Sequence, residues 1–151
     1  MFSDKAIREL IAGALLIHGI AHVIALGGLV AQCLRGPSAS RVAVRSWLLP
    51  SLSPKAAATA GIPFWILSAM GFLAASASFW GILVPDEVWR QLAVASAIIS
   101  ILGIALFFGT WPGSPNQLRS MLNTCVALAM DVAILVTQLW LRWPPQTMFG
   151  K

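Results

Sequence analysis

Residues 10–32 read LIAGALLIHGIAHVIALGGLVAQ, a run without Asp, Glu, Lys or Arg. A bilayer core is about 30 Å thick and needs about 20 helical residues, so this run is long enough to cross it. A cleaved signal peptide has an apolar region of only about 7–15 residues. The stretch that follows Lys5 and Arg8 is therefore expected to persist as a first transmembrane helix.

Three further apolar runs, near 60–80, 89–109 and 121–141, are 21 residues each and also long enough to cross. Lipid offers no partners to backbone N–H and C=O groups, so spans of this kind must be helical. The expected fold is all-α: one polytopic membrane domain over residues 1–151, built as a four-transmembrane-helix bundle.

Composition agrees. Hydrophobic residues make up 58% of the chain and charged residues 10%, against about 25% charged in ordinary soluble domains. Mean hydropathy is +0.83. These values exclude a soluble globular enzyme, a disordered tail and a disulfide scaffold. The formal net charge is +5, but the cations are scattered and no dense Lys/Arg run alternates with aromatics. Nucleic acid is not expected as a partner. Cys33 and Cys125 form no CxxC pair and are expected to be buried free thiols.

Turn residues separate the runs. Gly36-Pro37 follows the first, Pro85-Asp86-Glu87 divides the second from the third, residues 111–115 (WPGSP) end the third, and Trp143-Pro144-Pro145 closes the fourth. Pro63 is expected in the first turn of the second helix, where its missing N–H costs little. Six of the seven tryptophans (65, 80, 89, 111, 140 and 143) fall near span ends, as an interfacial aromatic belt requires.

The connection 33–59 carries Arg35, Arg41, Arg45 and Lys55 and no acidic residue. Residues 41–49 fit either a short amphipathic helix on the membrane surface or an irregular loop. Lys and Arg counts tie between the two sides, five against five. The concentration of four cations in one acid-free loop places that loop on the cytoplasmic side, by the positive-inside rule. The two halves share no motif, which removes the sequence support for an inverted-repeat transporter.

Ionisable groups inside a span are costly and often functional. His18, His22 and Asp131 are of this kind. The i, i+4 spacing puts both imidazoles on one helix face, and residues 18–22 and 131 lie at similar depth near the middle of their spans. Four roles remain open: a structural hydrogen-bonded cluster, ligation of a haem or chlorin by one imidazole, a metal site with Asp131 as third ligand, or a proton or ion path. A cofactor-free chain fits equally. Thr124, Asp131 and Gln138 recur every seven residues, with Asn123 beside them, and are expected to face other helices as a polar stripe. Ser68, Gly71 and Ala75, then Ser96, Ser100 and Gly103, and Gly19, Gly27 and Gly28 read as close-packing positions. No Ser-His-Asp arrangement, phosphate-binding glycine loop or HExxH is evident in the sequence.

Residues 14–22 (ALLIHGIAH), Gly109-Thr110-Trp111-Pro112 and residues 130–135 (MDVAIL) resemble a loose group of small bacterial four-span membrane proteins. These carry a His motif in helix 1, Trp-Pro after helix 3 and an Asp in helix 4. The resemblance implies a multi-pass protein of the bacterial inner membrane and lends no catalytic residue. The expected role is a non-enzymatic accessory or structural subunit. Its expected partners are the lipid bilayer and other membrane subunits or further copies of the chain.

Overall fold

The computed structural model describes residues 3–39, 41–82 and 85–144. Pro145 and Lys151 lie outside them. The described chain is all-helical: α1 is Asp4–Arg35, α2 Pro54–Phe79, α3 Trp89–Leu106 and α4 Gln117–Leu135, the last continued by a π-helical turn over Val136–Trp140. All four helices are long and apolar enough to cross a membrane, and the chain is a multi-pass membrane protein.

Local chemistry sets the helix starts. The Ser3 hydroxyl accepts from the Ala6 N–H and opens α1. Ser53 does the same for Ala56 in α2, with Pro54 in the first helical position. Asn116 accepts from the Arg119 N–H at the start of α4. Side-chain oxygens at these positions satisfy N–H groups that the first turn leaves without partners. These caps lie several residues outside the apolar runs of α1, α2 and α4, so those helices begin earlier than hydropathy suggested. At its 32 residues, α1 is about 48 Å long and exceeds the hydrocarbon thickness.

The early start of α2 changes two expectations. Pro63 is its tenth residue and lies inside the helix, where it removes one backbone bond. Trp65 is about 16 Å from the start of the helix and only 3% exposed. It packs against Phe107 and Trp111 in the core. Trp89 and Trp111 are also buried, whereas Trp47, Trp80, Trp140 and Trp143 are exposed. Three of the six tryptophans assigned to a belt are therefore core residues.

The helices approach closely where small residues meet. A Cβ on Gly71 of α2 would collide with the Ser96 hydroxyl of α3, and one on Gly103 of α3 would come within 2.8 Å of Phe64. The Ser76 hydroxyl of α2 donates to the Ala12 carbonyl of α1 at 2.8 Å. Small residues let backbones approach, and dispersion then replaces the lipid contacts.

The connection 33–59 contains no surface helix at 41–49. That stretch is irregular and folds inward, burying Val42 and Val44. The buried Gln32 side chain explains it: Nε2 donates to the Val42 carbonyl at 3.2 Å, and Oε1 accepts from the Val44 N–H at 3.0 Å. Next along the chain, the Ser46 hydroxyl and Trp47 Nε1 donate to the Leu106 and Ala105 carbonyls. The segment thus caps the C-terminal carbonyls of α3, which no intrahelical N–H can reach. Arg35, Arg41, Arg45 and Lys55 are left exposed. Cys33 and Cys125 are free, but neither is buried as expected: Cys33 is half-buried and Cys125 is exposed on α4.

After α3 the chain turns back toward α1 through Gly109 and Gly113, both at positive φ. The Gly113 backbone passes so near Gly28 of α1 that a Cβ there would collide with it. Gly27, the next residue back, has open space. Gly28→Ala should lower stability by about 1–3 kcal/mol through overpacking, while Gly27→Ala should be neutral or slightly stabilising. Unfolding in mixed detergent measures both.

Candidate functional site

The site is built where α1, α3 and α4 meet. Helix α1 directs His18 and His22 inward from successive turns, and both are buried. Helix α4 contributes Asp131, which is fully buried, and α3 contributes Ser100.

Four hydrogen bonds close on these side chains. His18 Nε2 lies 2.8 Å from Asp131 Oδ1. The Ser100 hydroxyl contacts Asp131 Oδ2 at 2.5 Å and His22 Nε2 at 2.9 Å. His22 Nδ1 lies 3.0 Å from the His18 carbonyl, one turn back along α1. Both carboxyl oxygens of Asp131 therefore have partners, one on α1 and one on α3. A buried carboxyl in an apolar span demands this, because its alternative is an unpaired polar group in hydrocarbon.

Aromatic rings enclose the cluster. The two imidazoles meet edge to face at 4.7 Å. Phe72 of α2 packs against His18 at 4.5 Å, and Trp111, from the turn after α3, against His22 at 5.4 Å. The inward fold of the α3–α4 connection supplies this last wall.

Between α1 and α4 a cleft of about 230 Å³ reaches the cluster. Its lining includes His18, Ile24, Trp111, Asn123 and Met130. The helices are thus bridged by the His18–Asp131 bond beside open space rather than by continuous packing.

The remaining stripe residues divide. Gln138 binds across helices: it accepts from Arg90 of α3 at 3.2 Å and donates to the Trp143 carbonyl at 2.9 Å. Arg90 also donates to the Pro144 carbonyl, so this group ties the end of α4 to the start of α3. Thr124 is buried but bonds back to Ser120 on its own helix. Asn123 donates to Ser114 in the preceding turn. The four loop cations, Arg35, Arg41, Arg45 and Lys55, are at the opposite end of the helices from Arg90 and take no part.

Sequence reasoning placed Ser100 among the packing residues and missed its hydroxyl as a bridge. The available signal was a hydroxyl in mid-span of α3, at a depth where Asp131 needs partners. Trp111 and Phe72 carried no polar signal. Among the described residues, no three His, Cys, Asp or Glu side chains converge as a metal site would require. The Nε2 atoms that could bind a metal or macrocycle instead face Asp131 and Ser100. Ligation would have to break one of these bonds.

Asp131→Ala removes the acceptor of His18 and leaves Ser100 with His22 as its remaining partner, which should cost about 1–3 kcal/mol of stability. Asp131→Asn keeps one oxygen for His18 and supplies an N–H for Ser100, so it should cost clearly less. Unfolding in mixed detergent checks the ranking, and equal losses would contradict this wiring.

Comparison of the chain with protein-family models, curated proteins and solved structures finds no match. The functional reading therefore rests on the cluster and the surface around it.

Proposed function

We propose that the chain is a non-enzymatic accessory or structural subunit of a larger assembly in a bacterial inner membrane. The observation that carries this reading is that its mid-span polar groups bind one another. His18, Asp131, Ser100 and His22 form a closed set in the protein interior. The large side chains that the spans offer outward are mostly apolar, among them Ile17, Ile24, Met70, Leu102 and Val126.

Helix α4 is the element most available to a partner. The smallest buried share among the four spans belongs to it, 22%. Its outward face carries Leu118, Leu122, Val126, Leu139 and Trp140, with Cys125 among them. Helices in lipid associate by packing rather than by escaping water, so a face of this kind suits another transmembrane helix of a partner subunit or a second copy. The acidic side chains Asp4, Glu9, Asp86 and Glu87 belong to the end that holds the chain start and the α2–α3 connection, while the other end has Arg35, Arg41, Arg45, Lys55 and Arg119 and no acid. Lys and Arg tie between the two ends, and the concentration of Arg35, Arg41, Arg45 and Lys55 in one connection favours the cytoplasmic side for that end. The resemblance to small bacterial four-span membrane proteins fits the same location.

Ligation of a metal ion, haem or chlorin by His18, His22 and Asp131 is the competing reading. It predicts stoichiometric metal or a visible absorption band in purified protein, and their absence would remove it.

Thiol cross-linking in native membranes tests the subunit reading, using Cys33→Ala so that Cys125 is the only cysteine. The expected result is one discrete cross-linked species through Cys125, together with a larger native-gel particle after gentle solubilisation. A monomer on the gel with no cross-linked product would count against it.

A further inference from the structure

We propose that the cluster is a proton-binding site, holding one exchangeable proton on a hydrogen-bonded chain that runs from Asp131 through Ser100 to His22. This goes beyond the subunit reading and does not depend on it.

The argument is a count of hydrogens. Four contacts close the cluster, and each needs one hydrogen between its two heavy atoms. A carbonyl oxygen only accepts, so the contact with the His18 carbonyl places a hydrogen on His22 Nδ1. An ionised Asp131 only accepts, so the His18–Asp131 contact then takes its hydrogen from His18 Nε2. Ser100 has a single hydroxyl hydrogen but sits in two contacts, with Asp131 Oδ2 and with His22 Nε2. With an ionised carboxylate and neutral imidazoles, three hydrogens serve four contacts. One contact is then left with lone pair facing lone pair, and the cluster has a net charge of −1.

A fourth hydrogen repairs both faults. Placed on Asp131 Oδ2, it is donated to Ser100, whose own hydrogen is donated to His22 Nε2. Placed on His22 Nε2, it is donated to Ser100, whose hydrogen is donated to Asp131. The two arrangements contain the same atoms. They interconvert when the Asp131 proton moves to Ser100 Oγ as the Ser100 proton moves to His22 Nε2, giving carboxylate and imidazolium from two neutral groups. In each, all four contacts are satisfied and the net charge is zero, as an apolar span favours.

Among the described residues, the groups packed around the cluster supply no competing charge. Helix α2 presents Phe72, the α3–α4 connection presents Trp111, and α3 contributes Ser100. On α4 the next polar group of the stripe is Gln138, two turns away, where Arg90 is already bound. The cleft beside His18 and Asn123 gives the cluster an opening between α1 and α4.

The chain has two histidines, so 15N-histidine labelling yields four ring nitrogens in all. In lipid at neutral pH, hydrogens should be found on His18 Nε2 and His22 Nδ1. As pH rises, one proton per chain should leave, registered at His22 Nε2. In Asp131→Asn the side-chain amide supplies the fourth hydrogen permanently, so this step should vanish while the protein stays folded. In Ser100→Ala, which serves if the first variant does not fold, the link is cut and the step should no longer reach His22. Wild-type spectra without a step from mildly acidic to alkaline pH would overturn the proposal. So would a step that persists unchanged in a folded variant.

Discussion

The structure turns on one constraint, that a carboxyl group in the middle of an apolar helix must find partners within the protein. Asp131 finds them on two other helices, His18 of α1 and Ser100 of α3. The bond to His18 spans 113 residues of sequence and joins the first helix to the last. The bond couples the depth of α4 to that of α1 and to the face that α4 turns inward. The bond lies beside an open cleft between these helices, and Ala127 of α4 belongs to the same apolar core as Ala25 and Leu29 of α1.

The remaining helices follow a different rule. Pairs α1–α2 and α2–α3 meet through small residues, with Gly19, Gly71 and Gly103 admitting neighbouring side chains where a Cβ would collide. Polar ties at both ends secure the arrangement. Gln32 draws the basic connection down onto α1, and Ser46 and Trp47 close the end of α3. Arg90 and Gln138 fasten the opposite end of α4. The α3–α4 connection bends back past Gly28 and delivers Trp111 against His22, so the wall of the site depends on a glycine in another helix.

The four helices were legible because hydropathy responds to length and charge, and both are extreme here. The starts of α1, α2 and α4 were not, because Ser3, Ser53 and Asn116 cap outside the apolar runs. The burial of Trp65 and Trp111 escaped for the same reason: rings near the apparent span ends proved to be core once the true start of α2 and the inward turn after α3 were known. Helical spacing placed His18 and His22 together, and mid-span depth marked Asp131 as their neighbour. The bridging role of Ser100 was not legible, since a serine in a transmembrane helix reads equally as packing or as bonding. Its partner is settled only by helix rotation. The inward course of residues 41–49 depends on Gln32, whose two bonds are long-range and leave no periodic trace.

The claim at the centre is that His18 and Asp131 act together to hold α4 against α1. A double-mutant cycle with His18→Ala and Asp131→Ala, read from unfolding in mixed detergent, measures this directly. A coupling of about 0.6–2 kcal/mol is expected for a hydrogen bond between helices in a membrane. Losses that add to within about 0.3 kcal/mol, as for independent sites, would contradict it.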